Sequence, residues 1–382
     1  MLLVVLVAAC DASDQGGTGA SAAGGDDQAP PVELGLNVED GANQVPVSTL
    51  LRVDASGGSL DRVRVRSSEG PVPGRLVEGG TRWQARERLE PGTAYTVRAV
   101  AEGAAGEQAQ RQRWRFRTVD LGLDRQTYAS VAPLDGETVG VGMPVIVQFD
   151  IPVTDRASIE RHLEVRAEPE QTGSWHWVDD SEVHWRPKEY WEAGTDVVVD
   201  VDINGVPAGG GIFGQDDRRV AFTVGERVIH RIDVDRHRMR TFIDGDPART
   251  MLISAGKQGW ETRSGTKVIM AKHRHKTMDA ATLGVEEGDP EYYNIEDVEY
   301  ALRVTHSGEF LHAAPWSAGS QGSANVSHGC VGMRTSAARW VYDNTKRGDV
   351  VEVTGTDRQM SLYNGWGDWN TSFADYRTGS AL

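Results

Sequence analysis

At a distance of about one hundred residues the chain repeats itself, and this period narrows the available folds more than any other feature. Short alternating runs begin near Val32. Leu50-Leu51-Arg52-Val53-Asp54, Arg62-Val63-Arg64-Val65-Arg66 and Tyr95-Thr96-Val97-Arg98-Ala99-Val100 show the period of two of half-buried strands. Turn-forming residues such as Glu90-Pro91-Gly92-Thr93 separate them. The same order then returns: Asp40-Gly41 opens one copy and Asp135-Gly136 the next. Trp83 followed by Glu90-Pro91-Gly92-Thr93 matches Trp185 followed by Glu192-Ala193-Gly194-Thr195, both pairs offset by 102 positions. The closing runs Phe116-Arg117-Thr118-Val119 and Ala221-Phe222-Thr223-Val224 correspond as well. Strands at this spacing without a helical stretch predict two β-sandwiches in tandem, 32–120 and 121–224. Their tryptophans Trp83, Trp114, Trp175, Trp177, Trp185 and Trp191 have two uses open to them, a glycan-binding surface or core and edge packing, the second being commoner.

A third unit starts at about 225. Val228-Ile229-His230-Arg231-Ile232-Asp233-Val234 alternates, and Met239–Ile243 is followed by the turn Asp244-Gly245-Asp246-Pro247. Thr250–Ser254 and Lys267–Met270 continue the strand pattern. Only Ser336–Lys346 reads helical, with Ala337, Trp340 and Val341 on one face and Gly348 just beyond its end. The expectation is a mostly β domain over 225–355 with one short helix. The tail, 356–382, holds Trp366-Gly367-Asp368-Trp369, Phe373 and Tyr376 and is too aromatic for a solvated terminus, so it should dock on a neighbouring domain. Three units also suit 382 residues at roughly 150 per domain.

The formal charge of −16, with no basic run, argues against a nucleic-acid partner. The two cysteines, Cys10 and Cys330, lie too far apart in kind to form a useful staple, one in a terminal segment and one deep in the third unit. Leu2–Ala9 is shorter than the ~20 apolar residues that span a bilayer and has the character of a secretory h-region. Leu6-Val7-Ala8-Ala9-Cys10 resembles the bacterial lipobox, which implies a lipoprotein signal over 1–10 and lipidation of Cys10; an incidental cysteine in a truncated leader is the plainer alternative. Residues 11–31, rich in Gly, Ala, Ser and Asp, are expected to form a flexible tether.

His312-Ala313-Ala314-Pro315-Trp316, a Gly/Ser-rich loop, and Ser327-His328-Gly329-Cys330 carry the chemistry. A thiol needs a base to become the attacking thiolate, and a histidine can supply it. Gly329 beside Cys330 lets backbone N–H groups approach an oxyanion. The base needs an acceptor on its other nitrogen to fix one tautomer. Gly319, Gly322 and Ser323 allow the chain to turn and bring Cys330 back beside His312. Two duller readings compete: a small buried free cysteine, or a metal site drawn from His273, His275, His312, His328 and Cys330. No CxxC or HExxH spacing accompanies the latter.

The pattern of a histidine, about seventeen residues and then Ser-His-Gly-Cys is similar to the active-site signature of the YkuD-type peptidoglycan L,D-transpeptidases. Trp340-Val341-Tyr342-Asp343 and Lys346–Val353 look like that family too, as does the layout of lipobox, tether, two immunoglobulin-like modules, catalytic domain and aromatic tail. The resemblance implies Cys330 as nucleophile, His312 as general base, and the backbone carbonyl of Ala313 as the group orienting the imidazole, where the family has Ser or Gly. It implies an oxyanion hole from Gly329 and Cys330, with His328 beside them. Residues 272–300 correspond to a flap whose Met278, Tyr292 and Tyr293 face substrate together with Trp316 and Ser327; which tyrosine points inward is not legible. Gly332 stands where the family often has Asn or Arg. The implied reaction needs no cofactor: the thiolate attacks the carbonyl preceding the terminal D-alanine of a tetrapeptide stem, and a neighbouring stem's amine takes the thioester, giving a 3→3 cross-link. Carbapenems would acylate the same cysteine. The implied location is the cell envelope, lipid-anchored on the outer face of the cytoplasmic membrane. An L,D-carboxypeptidase using water, and a non-catalytic wall-binding lipoprotein, remain the rival readings.

Overall fold

The computed structural model describes residues 31–103 and 109–382. The expected lipidation site Cys10 and nearly all of the expected tether lie outside the described residues. In the first unit one sheet orders Glu33–Leu36, Arg52–Ser56, Arg82–Ala85 and Gly74–Val77; the other orders Pro71–Val72, Gly58–Arg66, Ala94–Gly103 and Gln110–Arg117. Their inward residues, among them Leu51, Val53, Val97 and Phe116, share one core. The second unit repeats this with Ala129–Ala132, Val145–Phe149, Glu182–Pro187 and Gly173–Trp177 against Thr138–Val139, Asp217–Val224, Asp196–Asp202 and Leu163–Glu168.

The repeated residues do the same work twice. Asp40 and Asp135 each accept the backbone N–H of the closing strand, from Arg115 at 2.7 Å and Ala221 at 2.9 Å. The glycine after each, at φ +82° and +72°, donates back to that residue's carbonyl at 2.7 Å, a turn that positive φ makes costly for other residues. Trp83 lies over Gly74 and Trp185 over Gly173. A Cβ on either glycine would come within 2.0 and 2.1 Å of the indole. All six sandwich tryptophans are between 1% and 8% exposed, so they pack cores and present no glycan platform.

The third unit is one nine-stranded sheet in the order Gly265–Val268, Val350–Thr354, Val228–Asp233, Arg238–Ile243, Asp246–Ser254, Val331–Met333, Phe310–Ala313, Asn294–Arg303, Ala271–Asp279. The helix Thr335–Asp343 packs on it through Ala337, Ala338 and Val341. It ends three residues before the predicted Lys346, because Asn344 donates to the Trp340 carbonyl at 2.8 Å and Thr345 to that of Val341, satisfying carbonyls that another turn would have used. Two further helices, Arg156–Glu160 and Phe373–Tyr376, are too short to show a period in sequence.

The second and third units are joined by more than a linker. Ile229 and Val350 of the large sheet belong to the second sandwich's core, and Gly140 and Gly142 donate to the carbonyls of Arg347 and Gly348 at 2.8 and 2.9 Å. The tail closes the joint. Trp369 donates to Gly142 O at 2.8 Å, Arg186 stacks on Trp369 and Tyr376, and Asp368 Oδ1 takes both His184 Nδ1 and the Tyr376 hydroxyl at 2.9 Å. The other His184 nitrogen meets Glu182 at 2.8 Å. Burial alone would lower the His184 pKa, but Asp368 and Glu182 outweigh it and raise it to about 10. The Asp368 carboxyl, despite burial, is held below its ordinary range by His184 and Tyr376.

Asp368→Ala strands a buried cation and should cost about 3–5 kcal/mol, read as a drop in thermal midpoint. The sign of the pH effect follows from linkage. His184 contributes fully below its unfolded pKa near 6.5 and loses that contribution as pH rises towards 10; Asp368 loses its own as pH falls below the ordinary carboxylate range. The stability difference between parent and variant should therefore be largest between about pH 4 and 6.5 and shrink progressively towards pH 10. A difference that grows between pH 7 and 10 would contradict the assignment.

Candidate active site

The strand Phe310–Ala313 is buried at every position, and it pairs in parallel with Val331–Met333, placing His312 opposite Gly332 and Leu311 opposite Val331. The loop between them is pinned by Gln321, which donates to Ala314 O at 2.9 Å, and by Gly322, which donates to Ile253 O at 3.0 Å. This geometry brings His312 and Cys330 to the wall of one cavity of about 200 Å³, together with Met278, Tyr293, Trp316, Ser327, His328 and Gly332. A second cavity of about 220 Å³ also ends on Cys330, bounded by Met278, Asp279, Tyr293, Arg303, His306 and Gly308. Cys330, Met278 and Tyr293 are common to both.

Each expected site residue can now be placed. His312 Nδ1 lies 2.8 Å from the Ala313 carbonyl; a ring N–H donating there leaves Nε2 as the acceptor. Trp316 stacks on the imidazole at 5.8 Å between centroids. The Cys330 thiol donates to Gly308 O at 3.6 Å, and among the described residues no hydrogen bond joins it to His312. Burial pushes the thiol up to about 12, aided by Glu309 and opposed by the Phe310 amide and Lys267. Burial likewise lowers His312 to about 4, against the Ala313 bond. Burial thus favours the neutral form of both groups.

Two expectations need correction. Gly329 N–H donates to Ser327 Oγ at 3.2 Å, and that hydroxyl donates to Cys330 O at 2.6 Å. Ser327 therefore shapes the loop as well as facing the cavity, and among the described residues the motif's unengaged backbone N–H groups are those of His328 and Cys330. Tyr292 does not line either cavity. Successive residues of an extended segment point oppositely, so Tyr293 packs at 4.9 Å from His328 while Tyr292 turns to Asp279 and Asn294. At Gly332, a Cβ would sit 2.8 Å from Ala314 Cβ, so Ala314 occupies the space that a side chain at 332 would need. The remaining histidines do not converge on the thiol: His275 pairs with Asp297 at 2.5 Å and His273 lies against Phe310.

Some residues of the site escaped sequence reasoning. Glu309 is 4% exposed in its side chain and receives Lys267 Nζ and Arg263 Nη1, the latter at 2.7 Å. It lies between Gly308, whose carbonyl meets the thiol, and Phe310, whose amide faces the sulfur. This buried triad fixes the backbone around Cys330. Its only sequence signal is an acid and a base embedded in otherwise apolar strands. Across the cavity, Glu291 at the flap tip takes His328 Nε2 at 2.6 Å and Lys257 Nζ. These two partners hold its carboxyl below the usual range. They tie the flap to the loop before Cys330 and to the segment after Ser254.

The protonation state has a direct readout. Because the thiolate is the alkylating species, the rate of Cys330 modification by iodoacetamide, followed by intact mass, should rise about tenfold per pH unit from 7 to 9. A rate already independent of pH at 7 would show a thiolate–imidazolium pair instead.

Comparison with known proteins agrees with this architecture. Residues 228–353 match the model of the L,D-transpeptidase catalytic domain, and residues 42–207 match that of a bacterial Ig domain. L,D-transpeptidase 2 of Mycobacterium tuberculosis is 37% identical over 351 residues, covering 91% of this chain and 85% of its own. A solved L,D-transpeptidase in complex with imipenem is 35% identical, spans 60% of this chain and 99% of its own, and superposes with a TM-score of 0.53. L,D-transpeptidase 3 of Mycobacterium tuberculosis, solved with a faropenem-derived adduct, is 30% identical over 61% of this chain and 100% of its own, with a TM-score of 0.51.

Proposed function

This chain belongs to the L,D-transpeptidase family, and from that premise we propose that it cross-links peptidoglycan through a thioester on Cys330. His312 Nε2 takes the thiol proton as sulfur attacks the carbonyl preceding the terminal D-alanine of a tetrapeptide stem. The oxyanion is met by the backbone N–H groups of Cys330 and His328. The C–N bond breaks, the imidazolium returns its proton to the leaving D-alanine amine, and the acyl group stays on sulfur. The side-chain amine of a neighbouring stem then attacks the thioester, its proton passes through His312 to the departing thiolate, and a 3→3 link is formed. With burial favouring the neutral form of both groups, proton transfer accompanies attack. The thiol must first turn from Gly308 O.

The observation that supports transfer over hydrolysis is the meeting of two cavities at one sulfur. Water needs only one approach, whereas a donor stem and an acceptor stem need two. The test is incubation with a disaccharide-tetrapeptide and mass analysis: the cross-linked dimer is expected, and tripeptide alone would establish the carboxypeptidase. Cys330→Ala should abolish both the dimer and any covalent carbapenem adduct. His312→Ala should slow acylation by about 10²–10⁴-fold; an unchanged rate would remove His312 from the reaction.

We also propose that Cys10 carries a lipid anchor on the outer face of the cytoplasmic membrane and that the sandwiches act as a spacer setting the depth of Cys330 in the wall. The rigid joint between second sandwich and catalytic sheet supports this, since a spacer must not fold back. Between the two sandwiches, Arg88 meets His162 at 2.9 Å and Asn204 meets Glu90 at 2.5 Å. Removing 32–120 should leave soluble turnover nearly unchanged while lowering cross-linking in cells. Removing 121–224 exposes Ile229 and Val350 and should destroy soluble activity too. Equal loss from both deletions would replace the spacer with a substrate-binding role.

A further inference from the structure

The first sandwich carries a basic face that the acidity of the chain conceals. In Gly58–Arg66, Ala94–Gly103 and Gln110–Arg117 the arginines alternate with inward residues, so strand pairing gathers them on the outer side of one sheet. The register aligns them in rows: Arg64, Arg98 and Arg113 stand directly opposite one another, flanked by Arg66–Thr96–Arg115 and Arg62–Val100–Arg111. These seven are exposed, and the eighth arginine of the three strands, Arg117, pairs with Asp120 at 3.1 Å at the end of the sheet. The central ones, with Ser67, Ser68 and Thr96, bound a shallow groove of about 640 Å³ whose lining includes no carboxylate.

Like charges placed directly opposite destabilise a sheet, and these are left uncompensated. Among the described residues none of the seven makes an ion pair, while the second sandwich answers its outward Arg166 and Arg219 with Asp200 and Glu164. Desolvation and the charges of Arg115 and Arg98 lower the Arg113 guanidinium, a sign of crowding. A face that costs stability and lacks internal partners is suited to an external anion. Guanidinium forks match phosphate oxygens in geometry and charge. The face offers many exposed cations and no closed pocket, which fits a polymer engaged at several points better than a single small ion. Among the described residues no exposed aromatic stands on it to stack nucleobases, and no large exposed apolar side chain lies on it to enter a bilayer.

We propose that this arginine face of the first sandwich binds a linear, base-free phosphodiester polymer of the cell envelope, giving that domain a wall-docking task beyond spacing. The site is remote from Cys330 in sequence and fold, so its test is separable from that of the catalytic reading.

The experiment uses the full chain and a labelled poly(glycerol phosphate), with binding followed by anisotropy. With at least three phosphates contacted and a slope of about −0.7 per contact, affinity should fall at least about 20-fold from 50 to 200 mM salt. Arg64→Gln/Arg98→Gln/Arg113→Gln should weaken binding at 50 mM salt by about tenfold or more. Its thermal midpoint should be unchanged or raised, and its turnover of a soluble tetrapeptide unaltered. The corresponding triple Arg→Lys variant should keep salt-dependent binding. The proposal is overturned if the parent does not bind the polymer at 50 mM salt, or if the Gln variant binds it equally well. Tighter binding to phosphatidylglycerol vesicles or to duplex DNA at equal phosphate would also overturn it, assigning the face to a membrane or to nucleic acid.

Discussion

The parallel pairing of Phe310–Ala313 with Val331–Met333 is the constraint on which the rest of the catalytic unit depends. It joins two segments separated by a Gly/Ser-rich loop and sets their register in a core where every position of one strand is buried. A slip of one residue would exchange the faces and send His312 away from the cavity. The Lys267–Glu309–Arg263 triad anchors the entry to the first strand, and the Ser327 hydroxyl anchors the entry to the second. The placement of His312, Cys330 and the unengaged amides thus follows from one hydrogen-bonded ladder held at both ends.

The same logic explains why the second sandwich is not an appendage. Glycines at 140, 142 and 348 let two backbones meet without side chains between them, and Ile229 and Val350 complete a core that begins in the sandwich. The buried cation at His184 then fastens the tail over the seam. Hydrophobic burial supplies the attraction, and the ionic and aromatic contacts supply the single arrangement.

Much of this was legible in one dimension. The hundred-residue repeat disclosed two sandwiches because each copy must solve the same closure with the same Asp-Gly turn and the same indole over a glycine. That Cys330 and His312 would meet was legible because a thiol, a histidine and turn-forming small residues stand in one short stretch, and the structure brings both to one cavity. What stayed hidden depends on pairing across distant segments. The orientation of Tyr293 over Tyr292 is fixed by the flap's cross-strand partners, and the occupation of Gly329 N–H by Ser327 is fixed by loop geometry. The seven-arginine face contains no basic run, since every arginine is followed by an inward or polar residue; charge appears only when three strands are laid side by side. Lys267 and Glu309 likewise looked like ordinary strand residues until burial made them a pair.

The depth of the Cys330 sulfur bears on how long the protein can last. Oxidation by peroxide or by disulfide exchange proceeds through the thiolate and requires access. At 8% exposure and with burial pushing the thiol up to about 12, this sulfur is poorly available to either route. Placement that makes the group a reluctant nucleophile towards small oxidants also keeps it reduced. Durability is then a by-product of burying the sulfur under the flap.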